Sequence, residues 1–524
     1  MKRKIAALLI CLAMVAVSLA ACNGDSADKS SEAPGSKASG SVSQGETKSS
    51  DPSNNGDKEP VNLTIYFQTH MGAQDAQDEV AAAMSEITRE KMNANVTLVP
   101  IDGGSYKQAL TLAFSGGEQV DLFNTCGLDS YAAVVNHGYA LNLEEDNLLQ
   151  THGTGILDTI DQKYLDPCRV DGSIYGLPTM RDMAIGQFAL AVAAQYLDGI
   201  GYEYTDDDII YVKEGEIERI LAELHETFPD KTVTKYGLLS QNILYDALGG
   251  DNFGVLLDPV NSLKVEDFFS SDLYYDYCKM FYNWNQAGYI SQDAMASDAH
   301  VTTEVRAGTL MSYLCGTKPG IRQQETKLCA QEIVLLQEGE DFLSSSAVSG
   351  LSWCIGFTTA DKTASMQLLN ELYTNPELSR LICWGREDFE WVETDDGHMT
   401  YPDGIDADTS PYLHSVNWEM PNQFIAGVWE GDDLDIWEKT ESFNDNALVS
   451  KALGFTFDNS ALMNEYTAMV NVYNEYSKQL EMGFLNPDEG IPEIVERLKA
   501  AGLDKYIAEK QAQLDAWASE NGIS

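Results

Sequence analysis

The chain has 524 residues, with 82 Asp and Glu against 33 Lys and Arg, and its formal net charge is −49. This charge argues against nucleic acid as a partner, because a polyanion is bound by basic residues, and against attachment to an anionic membrane through protein charge. Hydrophobic residues make up 44% of the chain, which is enough for a large folded core. The length corresponds to about two to four domains.

A basic start and an apolar run open the chain. Residues 2–4 are basic and residues 5–21 are apolar and end in small residues, which is typical of a signal peptide. Residues 19–22, Leu-Ala-Ala-Cys, resemble the lipobox of bacterial lipoproteins. We therefore expect residues 1–21 to be a lipoprotein signal peptide and Cys22 to be lipidated, with an ordinary secretory peptide or a single-span anchor as the alternatives. Cleavage before Cys22 removes three positive charges, so −49 becomes −52.

The segment that follows predicts a flexible tether. Residues 23–60 contain ten Ser, five Gly and no Phe, Trp, Tyr, Ile, Leu or Met. Such a composition cannot bury enough surface to offset the entropy of ordering. We assign residues 22–60 to the lipidated Cys and a disordered Ser/Gly tether, which spans roughly 35 Å.

Seven cysteines remain beyond the tether, and they cannot all pair with one another. They are Cys126, Cys168, Cys278, Cys315, Cys329, Cys354 and Cys383. They show no C-x-x-C spacing, and several lie among apolar neighbours, which favours buried free thiols. A disulfide stays open and cannot be assigned from the sequence.

Signatures of catalysis and of metal binding are weak. The chain has no H-E-x-x-H, G-x-S-x-G, Walker or G-x-G-x-x-G motif, and its seven histidines are dispersed. Segments 403–408 and 431–435 are acidic enough to hold calcium, but neither matches the EF-hand loop. We therefore predict no catalytic residue, no metal ligand and no cofactor, with calcium as an open alternative.

The first part of the body alternates strands and helices. Strands are predicted at 61–67, 95–100 and 120–123, and helices at 75–92, 106–114 and 129–135. This alternation predicts a parallel α/β sheet, in which ligands lie at the carboxyl ends of the strands. Gln68, Thr69, Asn124 and Thr125 are at those ends.

The pattern then changes at 172–178, Gly-Ser-Ile-Tyr-Gly-Leu-Pro, which predicts a strand crossing between two lobes. Further helices are predicted at 215–229, 266–288, 364–373 and 376–384, and further strands at 333–336 and 352–358. Residues 305–313 are predicted to be a helix end that turns into a strand. Residues 386–450 are irregular, and the last seventy are helical. There Leu462, Tyr466, Met469, Tyr473, Tyr476 and Leu480 form an amphipathic stripe. Ser460 is the predicted N-cap of that helix, Pro492 lies in a first helical turn, and Gly502 ends a helix before 503–519.

This order of parts resembles extracellular solute-binding protein family 1 of bacterial ABC importers. The resemblance rests on the lipobox and tether, the crossover at 172–178, the Ala-Gly-x-x-Met turn at 307–311, and Gly-Phe-Thr at 356–358. The tail resembles the uncharacterised C-terminal domain of the LipO-like subgroup. Its segments are Gly-Phe-Thr-Phe-Asp-Asn at 454–459, Gly-Phe-Leu-Asn-Pro-Asp at 483–488, Leu-Lys-Ala-Ala-Gly-Leu-Asp at 498–504 and Gln-Leu-Asp-Ala-Trp at 513–517.

The resemblance implies an α/β, two-lobed periplasmic-binding-protein-like fold (type II) with hinge-crossing strands and a helical C-terminal extension. Lobe 1 is expected at 61–174 plus about 340–385, and lobe 2 at 175–339 plus about 386–450. The C-terminal module is expected at 451–524. Ligand binding in the cleft would stabilise a closed form that the permease recognises.

Aromatic planes and hydrogen-bonding side chains suit the C–H faces and hydroxyl groups of sugars. The predicted ligand-binding residues lie at strand ends, at crossovers or in irregular segments. They are Gln68, Thr125, Tyr175, Arg181, Tyr245, Tyr313, Trp353, Trp384, Arg386 and Trp418. Tyr313 is the aromatic nearest to the place where maltodextrin-type relatives stack sugar. Arg181 and Arg386 would equally suit a carboxylate of an acidic sugar or a peptide.

The sequence thus predicts a lipid-anchored, monomeric binding protein on the outer face of the cell membrane of a Gram-positive-type cell. It would deliver a carbohydrate, an oligosaccharide in the first instance, to ABC permease subunits whose ATPase is a separate chain. It would not be an enzyme, bind nucleic acid, or contact the membrane except through the lipid. A surface glycan hydrolase and a peptide-binding importer component are the alternatives.

Overall fold

The computed structural model describes residues 59–69, 74–128, 130–235, 239–292, 294–295, 300–407, 409–412 and 417–523. These residues belong to one compact unit. The predicted signal peptide, Cys22 and the tether up to residue 58 lie outside the described residues.

Seventeen strands lie within the described residues. In chain order they are β1 (Val61–Thr69), β2 (Ala94–Asp102), β3 (Leu122–Asn124), β4 (Arg169–Val170), β5 (Ser173–Ile174), β6 (Gly176–Pro178), β7 (Ile185–Ala193), β8 (Ile210–Tyr211), β9 (Val255–Leu256), β10 (Val265–Glu266), β11 (Ser312–Thr317), β12 (Ile333–Gln337), β13 (Asp341–Leu343), β14 (Ser352–Ile355), β15 (Val392–Glu393), β16 (Met399–Thr400) and β17 (Leu448–Val449).

Eighteen α-helices accompany them in the same part of the chain. They are α1 (Gln77–Met92), α2 (Gly103–Gly116), α3 (Tyr131–Asn136), α4 (Leu148–His152), α5 (Thr154–Thr159), α6 (Gln162–Leu165), α7 (Ala194–Ile200), α8 (Glu216–Thr227), α9 (Leu239–Asn242), α10 (Asp272–Gln286), α11 (Val301–Arg306), α12 (Ile321–Cys329), α13 (Lys362–Thr374), α14 (Pro376–Trp384), α15 (Ile436–Asn446), α16 (Met463–Glu481), α17 (Pro487–Ala501) and α18 (Leu503–Glu520).

The first lobe is built on a five-stranded sheet of order β2-β1-β3-β14-β6. Strands β1, β2 and β3 are parallel, and β14 runs antiparallel to β3 and β6. Alternate residues of β1 are buried, as its period-two pattern predicts. Capping fixes where helices begin: the Asp102 side chain accepts a hydrogen bond from the Gly104 N–H at the start of α2, and Asp361 caps α13 in the same way.

The second lobe is built on a sheet around β7, which pairs with β11 along one edge and with β12 and β13 along the other. Strand β17 extends β13 and β8 extends β12. The core of this lobe contains the aromatic residues of α10, and the core of the first lobe is a separate cluster around β1, β3, β14 and α13. Two separate cores with connecting segments are the physical basis for hinge motion.

Three segments connect the two lobes: residues 179–184 between β6 and β7, residues 344–351 between β13 and β14, and the α15 region before β17. The Asn444 side chain ties two of them together. Its amide oxygen accepts hydrogen bonds from the Met183 and Ala184 N–H groups at 2.9 and 3.0 Å, and its amide nitrogen donates to the Arg181 carbonyl at 2.8 Å.

The packing corrects the lobe boundaries expected from the sequence at three places. Residues 176–178 pair with β14 in the first sheet, and residues 341–343 pair with β7 in the second. Within 386–450, Tyr412, Met420 and Ala426 are buried in the first core, not the second. The Tyr412 hydroxyl donates to the Ile382 carbonyl at 2.9 Å. An irregular segment has no periodicity that would reveal which lobe it covers.

The C-terminal module packs on the second lobe. The six residues of the predicted stripe, from Leu462 to Leu480, are buried in the second core or packed against it, and Gly502 ends α17 in a left-handed conformation. Two details differ from the prediction. Ser460 opens a 3₁₀ turn and does not cap α16. Pro492 lies inside α17, which begins at Pro487 after the Asn486 cap.

Candidate functional site

A buried carboxylate gathers polar side chains at the carboxyl ends of β1 and β3. Gln68 Nε2 donates to Glu419 Oε1 at 2.5 Å, and Asn124 Nδ2 donates to Glu419 Oε2 at 3.3 Å. The indole N–H of Trp353 donates to the Glu419 carbonyl at 2.6 Å. The ends of neighbouring parallel strands meet at one edge of the sheet, so residues far apart in sequence become neighbours there.

Burial dominates the electrostatics of this cluster. Glu419 is fully covered, and burial raises its pKa to about 7, although hydrogen bonds from Gln68, Cys126 and Asn124 and the charge of Arg181 act in the opposite direction. Burial also raises the pKa of the Cys126 thiol to about 12, so this thiol stays neutral near pH 7. The charge of Arg181 lowers the pKa of Glu419 and so partly offsets the effect of burial.

Arg181 lies between the Glu419 cluster and a cavity of the second lobe. Its guanidinium donates to the Asp182 carbonyl and, at 3.1 Å, to the Ala347 carbonyl. It lies 6.0 Å from the ring centroid of Trp418, whose exposed fraction is 36%. Its Nε is buried and makes no hydrogen bond within the described residues. Arg181 and Trp418 thus place a cation and an apolar plane side by side.

A cavity of about 430 Å³, the first cavity, begins at Arg181 and extends along the second lobe. Its volume lies within the range of about 300–1,000 Å³ that is usual for ligand sites. Polar and aromatic side chains line it, and they come from connecting segments 179–184 and 344–351, from the second lobe and from α16. They include Gln187, Ser240, Tyr245, Asn252, Ser344, Ser346 and Tyr473.

Local backbone features set the positions of Gln187 and Tyr245. Phe188 has a φ of 49° inside β7, opposite a register shift in β11, and this bulge re-aims the neighbouring side chains. Gln187 Nε2 donates to the Ser240 and Ile243 carbonyls at 3.1 and 3.0 Å, while its Oε1 has no partner among the described residues. Tyr245 stacks on Phe268 and donates to Asn252 Oδ1 at 2.9 Å.

The structure brings four predicted site residues to this region: Gln68, Arg181, Tyr245 and Trp418. Trp353 and Thr125 lie beneath it as buried supports. Thr125 Oγ1 accepts a hydrogen bond from the Ser352 N–H at 2.9 Å. Tyr175 is half-buried against the first core. Contact of any of these residues with a ligand stays a prediction.

Three other predicted residues have structural partners elsewhere. Tyr313 is buried in the second core, where its hydroxyl donates to Glu325, because its side chain points to the packed face of β11. Trp384 packs edge-on against Trp429, with ring centroids 5.1 Å apart. Arg386 forms a bidentate ion pair with the buried Glu390: Nη2 donates to Oε1 at 2.8 Å and Nε donates to Oε2 at 3.2 Å. Its guanidinium is therefore held by an internal carboxylate.

Several residues of the region were not predicted from the sequence, above all Glu419, Asn252, Gln187 and Tyr473. Asn124 was expected at a strand end but not as a ligand-binding residue. Glu419 follows Trp418 directly, yet an isolated acidic residue in a chain with 82 Asp and Glu carries no signal. Tyr473 was predicted only as part of a packing stripe.

The seven cysteines beyond the tether are free thiols in the structure, five of them buried. Burial raises the pKa of the Cys168 thiol to about 12, which keeps it neutral and unreactive. No three His, Cys, Asp or Glu side chains of the described residues gather as a metal site. None of the helices described is long and apolar enough to span a membrane.

Known proteins resemble this chain over most of its length. A carbohydrate ABC transporter substrate-binding protein of Streptococcus pneumoniae serotype 4 (strain ATCC BAA-334 / TIGR4) is 25% identical over 451 residues, which are 84% of this chain and 88% of the relative. Residues 451–519 match DUF3502, a domain of unknown function.

Solved structures give the same picture. The N-glycan transport solute-binding protein NgtS of Streptococcus pneumoniae superposes with a TM-score of 0.76 at 22% identity, over 88% of this chain and 100% of NgtS. NgtS in complex with Man1GlcNAc, over 87% of this chain and 99% of NgtS, and with Man5GlcNAc, over 88% and 99%, gives TM-scores of 0.67 and 0.64 at the same identity. The chain therefore has the two-lobed fold of the extracellular solute-binding proteins. It ends in the DUF3502 domain, and the resemblance predicted from the sequence is confirmed.

Proposed function

We propose that this protein is the extracellular substrate-binding component of an ABC importer and that it captures an oligosaccharide between its lobes. The observation that carries the proposal is that Arg181 lines the first cavity and has the partly exposed ring of Trp418 beside it. A pyranose ring can stack on the Trp418 plane while its hydroxyl groups bond to polar side chains that line the first cavity, such as Asn252 and Ser346. The carbohydrate relatives support this choice of ligand class.

The fold supports capture by hinge closure. Trp418 lies on the segment that packs on the first lobe through Glu419 and Met420, whereas Tyr245 and Asn252 belong to the second lobe. A ligand that contacts both regions binds the closed arrangement more tightly, so it shifts the population toward that form. ABC permease subunits with a separate ATPase chain would receive the ligand from a monomeric binding protein.

The same site argues for binding without catalysis. A glycoside hydrolase needs a carboxyl group that reaches the glycosidic oxygen. Glu419 is fully covered and holds Gln68 and Asn124, and Asp246, which lines the first cavity, is buried and accepts from the N–H and hydroxyl of Ser345. We propose that Glu419 supports the site floor, and that lipid on Cys22 holds the protein at the outer face of the membrane.

Isothermal titration calorimetry with the probes Man1GlcNAc and Man5GlcNAc tests the ligand class, with a tripeptide mixture as the comparison. A ligand that binds the native state also stabilises it by RT ln(1 + [L]/Kd), or about 2.7 kcal/mol at a hundredfold excess over Kd. We expect saturable heat and a higher unfolding temperature with a glycan. A peptide response with no response to any oligosaccharide would overturn the proposal.

A further inference from the structure

A larger cavity, the second cavity, lies beside the first and has a volume of about 660 Å³. One wall comes from α2 and α3 of the first lobe, with Lys107, Ala133, Asn136 and His137. The other wall comes from the C-terminal module, with Phe457 to Ser460, Met463 and Tyr466. The second cavity thus spans the cleft between the first lobe and the DUF3502 domain.

The two cavities meet at one loop. Gly250 lines both of them. Leu248, Gly249 and Gly250 have φ values of 54°, 119° and 108°, so three successive residues take the left-handed conformation. Two glycines accommodate this backbone without strain, and neither carries a side chain that would stand between the two cavities.

The C-terminal module holds this loop in place. Lys510 of α18 is fully buried, and its Nζ donates to Asp251 Oδ1 at 2.8 Å and to the Gly254 carbonyl at 3.0 Å. The Tyr506 hydroxyl donates to Asp251 Oδ2 at 2.7 Å. A buried charge with this many partners fixes a single geometry. The loop that separates the cavities is therefore positioned by the C-terminal module.

The lining of the second cavity is mostly uncharged, with Lys107, Asp251 and Asp458 as its charged residues, and it suits a hydroxyl-rich ligand. Amide and hydroxyl groups come from Asn136, Asn459 and Ser460, and an apolar face comes from Met463, whose exposed fraction is 49%. The acidic groups already have partners, because Asp458 Oδ2 accepts from Asn136 Nδ2 at 3.1 Å and Asp251 pairs with Lys510. The first of these bonds crosses from the first lobe to the module.

We propose that the DUF3502 domain forms a second glycan subsite, which takes the outer residues of an oligosaccharide whose first residues occupy the cavity at Arg181. The proposal rests on the proposed function. It gives the domain a direct role in selecting longer or branched glycans over short ones, and it explains why a helical module packed on the second lobe also faces the first.

Calorimetry with two glycans and two filling variants tests this subsite. Ser460→Trp and Met463→Trp place a large ring in the second cavity from exposed positions, and Ser519→Trp on the exposed surface of α18 is the matched control. In both filling variants we expect the Kd for Man5GlcNAc to rise at least about tenfold, while the Kd for Man1GlcNAc stays within about twofold. The control changes neither value.

The outcomes separate the two proposals. If wild-type protein binds both glycans and both filling variants change the two Kd values by the same factor, or change neither, the subsite is wrong and the proposed function stands. If wild-type protein binds no oligosaccharide, the proposed function itself fails. Circular dichroism and the unfolding temperature of each variant show that a loss of Man5GlcNAc binding does not come from misfolding.

Discussion

At the scale of single residues, Trp418 is the side chain on which the ligand class depends most directly. It is the predicted aromatic that the structure leaves exposed beside an arginine, whereas Trp353 is covered and Trp384 is half-buried against Trp429. The sequence predicted all three tryptophans equally well. Only the packing of segment 417–426 on the first lobe distinguishes them, because it buries Glu419 and Met420 and leaves the Trp418 ring partly exposed.

Replacing Trp418 with Ala should weaken glycan binding by about tenfold, since it removes a stacking plane and its buried apolar area. The measurement is the Kd for Man1GlcNAc by calorimetry. Phe389→Ala is the matched control, because Phe389 is also an exposed ring beside an arginine, with Arg386 4.5 Å from its centroid, but Arg386 lines neither cavity, whereas Arg181 beside Trp418 lines the first. Equal losses in both variants would contradict a role for Trp418 in the site.

Glu419 predicts a pH dependence of stability. Its pKa is raised to about 7 in the folded protein, above an ordinary value of about 4.3. The folded state therefore holds this proton more tightly than the unfolded chain does. The stability that the proton contributes is complete below about pH 4.3 and is lost as the pH rises toward 7.

Glu419→Gln carries a neutral group at every pH, so this loss should disappear. Relative to the wild type, we expect the free energy of unfolding of the variant to improve by about 2–3 kcal/mol between pH 4.5 and 7.5. Urea unfolding across that range measures it. Glu90→Gln, on the exposed face of α1, controls for the loss of one negative charge. If the difference in the free energy of unfolding between variant and wild type were the same from pH 4.5 to 7.5, the pKa of Glu419 would not be raised in the folded protein.

At the scale of elements, helices and strands with clear periodicity were predicted within a few residues, as α1, β12, α14 and α18 show. The predictions failed where a segment's burial or its packing partner has no counterpart in its hydrophobic periodicity. Tyr313 lies in a strand whose two faces are both buried, so alternation could not indicate its direction. Segment 386–450 was predicted to be irregular, but it contains α15, and the packing of Tyr412 and Met420 on the first lobe leaves no local signature in the sequence.

The ion pair between Lys510 of α18 and Asp251, in the loop that separates the two cavities, is the contact between elements with the largest expected effect on stability. Lys510→Ala leaves Asp251 without its cation, and we expect a loss of about 3 kcal/mol in the free energy of unfolding, as for other broken buried pairs. Lys505→Ala on the same helix is the control. Its pair with Glu465 is exposed, so the expected loss is below about 1 kcal/mol. Similar losses in both variants would mean that the Lys510 pair contributes no more than a surface contact.

At the scale of the whole molecule, the order of segments was the most informative part of the sequence. It indicated two lobes and a helical end, and the fold confirms both, whereas the strand predicted to cross between the lobes at 172–178 pairs within the first sheet. The site itself could not be derived in the same way, because it is assembled at Arg181 from both lobes, their connections and α16. Contacts between residues as distant as Gln68 and Glu419 depend on the completed fold.

The relative position of the lobes yields the last prediction. NgtS superposes with a TM-score of 0.76 in one structure and 0.67 in its complex with Man1GlcNAc, so the conformation described is more similar to the first. We expect saturating Man1GlcNAc to decrease the radius of gyration in small-angle X-ray scattering, because closure brings the two cores together. At the same glycan concentration, Trp418→Ala protein should stay closer to the unliganded value, since less of it is bound. An unchanged radius for wild-type protein that calorimetry shows to be saturated would mean that the hinge at Asn444 stays rigid and that capture occurs without closure.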